Sequence, residues 1–130
     1  AVSWFGLIGA IGVGALASAI LVANNLRDIP TDIEHGKRTL AVRLGDARTR
    51  ALYVALFAAS VVAVLGMAWF EPWALLGLLA APLGWTAMRT VRAGTTGREL
   101  IPVLAATGLY EVAYAVLIAL GVVIGVAIAT

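Results

Sequence analysis

The chain has 130 residues, of which 62% are hydrophobic and 12% are charged, and its formal net charge is +2. A soluble globular domain has about 45–50% apolar and about 25% charged residues. The composition therefore excludes a water-soluble domain and indicates an integral membrane protein that works in a lipid bilayer. The small positive charge is too weak to predict a nucleic-acid partner, and the chain has no cysteine with which to form a disulfide.

Four apolar segments approach or exceed the length of roughly 20 residues that a helix needs to cross a bilayer. Because backbone groups in lipid must bond within their own segment, we expect helices and not open strands. The sequence thus predicts an all-α integral membrane protein, with residues 1–130 forming a single bundle of four transmembrane helices. The predicted helices lie at about residues 2–24, 47–70, 72–90 and 100–129, and the first two are joined by a polar loop at residues 24–46.

The chain begins inside an apolar segment, without a methionine. That segment is too long for a signal peptide and lacks the preceding cationic residues of one. We therefore expect the chain to be a fragment, or the C-terminal part of a longer protein.

The positions of the cationic residues predict the orientation of the helices. All nine Lys and Arg residues lie in or beside the first and third links between the apolar segments. By the positive-inside rule these two links face the cytoplasm, and the turn at Glu71 faces outward. The aromatic residues expected at the outer interface are Trp4, Trp69, Phe70 and Trp73. Those expected near the inner interface are Tyr53 and Trp85. The prediction is a multi-pass protein of the cell membrane.

Small residues repeat at a spacing of four in two of the predicted helices, a pattern typical of closely packed membrane helices. In the first helix these residues are Gly6, Ala10, Gly14 and Ser18. In the fourth helix they are Gly121 and Gly125.

The polar stretch at residues 24–45 carries the candidate chemistry. Asn24, Asp28 and Asp32 follow one another at a spacing of four, so on a helix they share one face. Pro30 disfavours a continuous helix, which is expected to end near residues 27–29. A carboxylate at that end is repelled by the helix macrodipole, so a positive partner is needed nearby.

Arg27, Lys37, Arg38 or a divalent cation could supply that positive charge. Magnesium is held by one or two carboxylates together with substrate phosphates and water, and Lys and Arg suit the phosphates. The spacing equally fits a solvated loop with weak surface ion pairs, and His35 is more typical of such a loop than of a zinc site. Residues 39–44 are expected to form a small interfacial helix that Gly45 ends, with Asp46 as the N-cap of the next helix.

The run NNLRDIPTDIEHGKRTLAVRLG, residues 24–45, closely resembles the second aspartate-rich motif of the UbiA superfamily of intramembrane prenyltransferases. It is most similar to the branch that prenylates 1,4-dihydroxy-2-naphthoate in menaquinone synthesis. The resemblance implies a bundle of nine helices, of which the four here correspond to helices six to nine. The first aspartate-rich motif is not in this sequence, so missing N-terminal helices or another copy of the chain would be needed to complete the site.

The resemblance also implies roles for individual residues. Asp28 and Asp32, with Asn24 assisting, would hold Mg²⁺ against a polyprenyl diphosphate. The residues expected on the phosphate oxygens are Arg27, Lys37 and Arg38. The polyprenyl group would pass to the aromatic acceptor, dihydroxynaphthoate, with loss of CO₂ and release of diphosphate.

Three alternatives remain at this point. A UbiA-type enzyme could use another aromatic acceptor, such as 4-hydroxybenzoate. A CDP-alcohol phosphotransferase also uses Mg²⁺, but the D-x-x-D-G opening of its motif is absent. A non-catalytic membrane subunit would use its basic links only to set topology.

Glu111 is an acidic residue within the fourth predicted helix, near the middle of the membrane. Such a residue is a candidate functional site because a buried charge in lipid is costly. Glu111, with Tyr110 and Tyr114, could contact the acceptor. The alternative is a protonated glutamic acid that hydrogen-bonds to a neighbouring helix.

Overall fold

The computed structural model describes residues 3–130, and these form helices joined by short turns, without a β-strand. The α-helices are α1 (Trp4–Arg27), α2 (Ile29–Glu34), α3 (Leu40–Leu44), α4 (Asp46–Phe70), α5 (Ala81–Arg92) and α6 (Ile101–Ala129). A 3₁₀ segment, Pro72–Ala80, runs directly into α5, and a 3₁₀ turn, Gly97–Leu100, precedes α6. Within the described residues, four helical stretches are long and apolar enough to cross a membrane. This confirms the predicted fold class.

The polar stretch is more helical than predicted. α1 continues to Arg27, into the predicted loop at residues 24–46 but in agreement with the end near residues 27–29 that Pro30 predicts. α3 lies where the small helix of residues 39–44 was predicted, whereas α2 was not predicted. Pro30 explains the break between α1 and α2. It cannot donate the hydrogen bond that a helix interior requires, but it fits the first turn of α2, where no such bond is needed.

The capping of α4 also differs from the prediction. The N-cap is Gly45 and not Asp46, and the carboxylate of Asp46 pairs with Arg50 instead of capping the helix. Gly45 does end α3, as predicted. Its φ of +83° lies in the region that glycine adopts without strain.

The third crossing begins as a 3₁₀ segment where a continuous helix was predicted. Proline has no N–H, so Pro82 leaves the carbonyl of Leu78 without its usual α-helical donor. The N–H of Ala81 donates to that carbonyl instead, which is the shorter 3₁₀ bond.

Arg50 ties the first and third links together at one end of the bundle. Its guanidinium donates to the carbonyls of Val91 and Thr95, at 2.6 Å and 2.7 Å, and pairs with Asp46 at 2.6 Å. A carbonyl in the last turn of α5 and one in the turn beyond it therefore receive donors from α4. At the other end, Gly125 of α6 lies against the Glu71 side chain. The two basic links thus share one end of the bundle, as their charges predict.

Hydroxyl groups join α4 to α6 inside the bundle. Tyr53 and Thr107 share a hydrogen bond of 2.6 Å, the hydroxyls of Ser60 and Tyr110 share one of 2.8 Å, and Tyr114 donates to the Ser60 carbonyl at 2.7 Å. Such bonds between membrane helices contribute about 0.6 kcal/mol each on average. Tyr53 is fully buried and faces α6, so its ring packs inside the bundle and not against lipid, while its depth near the inner interface stays a prediction.

Glycines create the space in which the aromatic rings of the interior pack. A side chain at Gly12 would collide with the hydroxyl of Tyr114, and one at Gly84 would collide with the rings of Tyr110 and Phe57. Gly121 and Gly125 are both buried against the turn at residues 71–73, which confirms the close packing predicted for α6.

The corresponding prediction for α1 is wrong within this chain. The residues Gly6, Ala10, Gly14 and Ser18 are all exposed. The face of α1 that packs carries Gly12, Ala15 and Ala19, because Tyr114 needs the notch at Gly12.

Replacing Gly12 with alanine is expected to destabilise the protein, because the new methyl group would displace the Tyr114 ring and its hydrogen bond to α4. Overpacking of this kind costs about 1–3 kcal/mol. The measurement is thermal unfolding in detergent, followed by circular dichroism. Gly14→Ala is the matched control, since nothing lies within 4 Å of a methyl group there. Equal melting temperatures for the two variants would contradict the proposed packing.

Candidate active site

The site is built where α1 ends and α2 begins. The N–H of Asp28 donates to the Asn24 carbonyl at 3.3 Å, so Asp28 closes the last turn of α1. The N–H of Asp32 then donates to the Asp28 carbonyl at 2.7 Å. Asn24, Asp28 and Asp32 therefore lie on successive turns, although the chain passes from one helix to the next between them.

The Arg27 side chain holds two of these groups together. Its Nε and Nη2 donate to the two carboxylate oxygens of Asp28, at 2.9 Å and 3.1 Å. Nη2 also donates to the Asn24 side-chain oxygen at 2.6 Å. This is a bidentate pair, the strongest geometry available to arginine and a carboxylate. Arg27 thus supplies the positive charge that Asp28 needs at the end of α1.

Asp32 lies in a more favourable position than the sequence predicted. It belongs to the first turn of α2, where a helix macrodipole attracts a carboxylate, and not to the end of α1. The effect is small, because α2 has only six residues. Because the chain changes from α1 to α2 at Asp28, only Asp28 lies at the C-terminus of α1, and the two carboxylates do not share one helix end.

The chain folds back after α2 and brings a second cation towards Asp28. Gly36 has a φ of +73°, and the N–H of Lys37 donates to the Asp32 carbonyl at 2.7 Å. The Arg27 guanidinium holds the pKa of the Asp28 carboxyl below its usual value, and the charge of Lys37 lowers it further.

Arg38 is exposed and forms no ion pair with any residue that the structure describes. His35 lies 2.8 Å from the carbonyl of Thr31, a local contact within α2.

The side chains of Asn24, Asp28 and Asp32 offer hard oxygen donors, namely one amide and two carboxylates. Arg27 brings those of Asn24 and Asp28 together, whereas the Asp32 side chain forms no hydrogen bond with either of them among the described residues. Over residues 3–130, no three acidic or histidine side chains come close enough to enclose a metal ion by themselves. Both oxygens of Asp28 are bonded to Arg27, but a carboxylate has about four lone-pair sites and can accept further partners. The site is therefore an open one, to which another molecule must contribute ligands.

The residues predicted around Glu111 are distant from this cluster in the chain, and two of them have structural roles. Tyr110 and Tyr114 are fully buried, and both hydroxyls are bonded to Ser60 of α4. Glu111 is half-buried and forms no hydrogen bond or ion pair with another described side chain. Of the three, Glu111 alone has a polar group left for a ligand.

Arg50 has a structural role that the sequence interpretation missed, since it counted Arg50 only as one cation of the first link. It is 9% exposed and bonds to α5 and to the turn beyond it. The available signal was the spacing of Asp46 and Arg50, four apart on one helix, which is typical of an ion pair. That spacing does not reveal the bonds to the distant carbonyls.

Comparison with known proteins gives a consistent result. The UbiA prenyltransferase family matches residues 1–100 of the chain. The chain belongs to this family. It is 53% identical over 118 residues to a Mycobacterium tuberculosis protein named 1,4-dihydroxy-2-naphthoate octaprenyltransferase, covering 91% of this chain and 40% of that protein. Proteins of the same name are 52% identical in Mycobacterium leprae, with the same coverage, and 38% identical over 125 residues in Haemophilus influenzae, with 92% and 40% coverage.

This UbiA-family chain spans about two fifths of the length of those relatives, because the matched residues cover 40% of each. No solved structure matches it. The aspartate cluster lies within the matched residues 1–100, whereas Glu111 lies beyond them.

We expect Arg27→Gln to raise the pKa of the Asp28 carboxyl towards the ordinary value of about 3.9, because the bidentate donor is lost. A carboxylate with a lowered pKa stabilises the folded protein above its unfolded-state pKa, and that stability is lost as the pH falls through the folded-state value. The variant should therefore have a lower free energy of unfolding than the parent protein at neutral pH. This difference between the two proteins should disappear at acidic pH. Carbon-detected NMR titration of labelled aspartate measures the shift. Arg43→Gln, which removes an exposed cation of α3, should leave the Asp28 titration unchanged.

Proposed function

We propose that this chain forms part of the active site of a polyprenyltransferase that transfers a polyprenyl group from its diphosphate to 1,4-dihydroxy-2-naphthoate. The product would be demethylmenaquinone, with release of CO₂ and diphosphate. The observation that carries the proposal is the cluster of Asn24, Arg27 and Asp28 at the end of a membrane helix, in a chain 53% identical to a protein named for this reaction. Carboxylates and cations together at the edge of an apolar bundle suit an amphiphilic diphosphate.

The cluster fits a magnesium ion that is shared with a substrate. Asp28 and Asp32 would be its carboxylate ligands and Asn24 would assist, in keeping with the few protein ligands that magnesium usually takes. When bound, Mg²⁺ would supply Lewis-acid stabilisation of the charge that develops on the diphosphate. Arg27, which now bonds both Asp28 oxygens, would share Asp28 with the ion or turn towards the phosphates.

The cations of the chain would bind the phosphate oxygens. Arg27 and Lys37 lie near Asp28, and Arg38 follows on the same exposed turn. As the bond between the allylic carbon and the diphosphate oxygen breaks, negative charge moves onto the leaving group, and fixed cations there lower the barrier. The aromatic ring of the acceptor then forms the new carbon–carbon bond, and its carboxyl group leaves as CO₂.

The cluster has two carboxylates, and the relatives are more than twice as long as this chain. We therefore propose that further residues complete the site, from additional N-terminal helices or another copy of the chain. The whole enzyme would be a multi-pass protein of the cell membrane, with the cluster on the cytoplasmic side. That orientation is supported by the nine cationic residues, which lie in or beside the two links at one end of the bundle.

Replacing Asp32 with alanine in the full-length protein is expected to lower Mg²⁺-dependent prenyl transfer by at least about 100-fold, because charge stabilisation of the leaving group is lost. The same loss is expected for Asp28→Ala. Radiolabelled prenyl transfer to dihydroxynaphthoate measures the rate. Glu34→Ala is the matched control, since Glu34 is an exposed acid of the same short helix. Activity retained in Asp28→Ala would reject the assignment.

Glu111 is proposed to orient a hydroxyl group of the acceptor. Glu111→Gln keeps the size of the side chain and replaces its carboxyl group with an amide, so we expect the KM for dihydroxynaphthoate to rise while the KM for the prenyl diphosphate stays the same. Steady-state kinetics with each substrate varied in turn measures the two constants. If neither changes, Glu111 is a structural residue.

A further inference from the structure

A groove runs along the outer surface between α4 and α5, away from the aspartate cluster. Its apolar part has a volume of about 750 Å³ and includes Phe57, Val61, Trp85 and Met88 in its lining. A second cavity of about 540 Å³ is lined by Asp46, Arg50 and Arg92, among others. Val54 lines both cavities, so the two lie next to each other on this face of the bundle, and we refer to them as the two parts of one groove. α1, which carries Asn24 and Asp28, contributes no lining residue to either cavity.

The two parts of the groove differ in chemistry. The apolar part is lined by hydrocarbon and aromatic side chains alone. The other part lies at the basic end of the bundle, where Arg92 is exposed. Asp46 is the one acidic residue in the lining of this part, and its carboxylate is bonded to Arg50 at 2.6 Å and 3.1 Å. The positive charge of Arg92 is therefore available to bind an anion at the mouth, or polar end, of the groove.

The length of the groove matches one leaflet of a bilayer. From Val54 to Val62, the lining residues of α4 extend about 12 Å along the helix at about 1.5 Å per residue. Half of the hydrocarbon core of a bilayer is about 15 Å thick. The cationic part begins at Asp46, the first residue of α4, which is where lipid headgroups lie if α4 crosses the membrane.

We propose that this groove binds one anionic glycerophospholipid, with an acyl chain against Phe57 and Trp85 and the phosphate against Arg92. Basic pockets between membrane helices are typical binding sites for anionic headgroups.

A prenyl diphosphate has a similar shape but is held through a divalent ion. The one carboxylate among the residues lining the mouth is Asp46, which is committed to Arg50. Glycerophospholipid needs no metal and is the bulk amphiphile of the membrane in which the groove opens. The proposal does not rest on the prenyltransferase assignment.

The headgroup contact is tested by native mass spectrometry of the full-length protein with phosphatidylglycerol and phosphatidylcholine that carry the same acyl chains. We expect tighter retention of phosphatidylglycerol. Arg92→Gln should weaken that retention by about fivefold, the effect of one cation near a membrane surface, and should leave phosphatidylcholine unchanged. Arg98→Gln is the matched control, because Arg98 is an exposed cation of the same link that does not line the groove. Equal losses in the two variants would overturn the proposal.

The acyl-chain contact is tested by filling the groove. Ala58 is an exposed alanine of α4 that lines the apolar part, so Ala58→Phe should reduce retention of both lipids. Ala55→Phe, at an exposed alanine of α4 outside the lining, should not reduce it. Unchanged lipid retention in Ala58→Phe would overturn the proposal, and a changed oligomeric state with unchanged retention would assign the groove to a protein partner. Displacement of phosphatidylglycerol by a prenyl diphosphate analogue without Mg²⁺ would also overturn it.

Discussion

The structure depends on the rule that polar groups inside a membrane bundle must find partners within the protein, because lipid offers none. In the interior this rule is met by the hydroxyls of α4 and α6. Ser60 is the centre of the arrangement, since its hydroxyl meets Tyr110 and its carbonyl accepts from Tyr114. No buried side-chain nitrogen or oxygen in the described residues lacks a hydrogen-bond partner. These bonds fix the rotation of α6, and the rotation of α6 in turn determines where glycine is needed on its neighbours.

Two arginines extend the same rule to the end of the bundle, with different consequences. Arg50 is buried, and it is committed to Asp46 and to two backbone carbonyls. Removal of Arg50 or of Asp46 would leave the other charge without its partner, so the role of this contact is structural. Arg27 is partly exposed, and its partners are side chains that can also bind a metal or accept another donor. Arg27 can exchange partners and therefore suits a binding site. Arg50 cannot, and it therefore stabilises the packing of the helices.

The aspartate cluster is therefore preorganised but open. Arg27 holds the side chains of Asn24 and Asp28 together, and it keeps the pKa of Asp28 below its usual value, so the carboxylate is charged at neutral pH. A charged carboxylate can bind a divalent ion without first losing a proton. The apolar faces of the adjoining helices would accept an isoprenoid chain without a desolvation cost. These properties support the proposal that the cluster binds an amphiphilic diphosphate.

The sequence by itself determined the fold class, the ends of the membrane helices to within a few residues, and the spacing that puts Asn24, Asp28 and Asp32 on successive turns. These features follow from local chemistry: hydrocarbon segments must be helical in lipid, a proline ends a helix, and residues four apart share a face. Only the tertiary structure decided which glycines pack, which tyrosines are buried, and what Arg50 and Asp46 do. Those outcomes depend on how α4, α5 and α6 rotate against one another. A repeat of small residues such as Gly6 to Ser18 predicts a helix with one face of small side chains. It does not predict which neighbouring helix, if any, packs against that face.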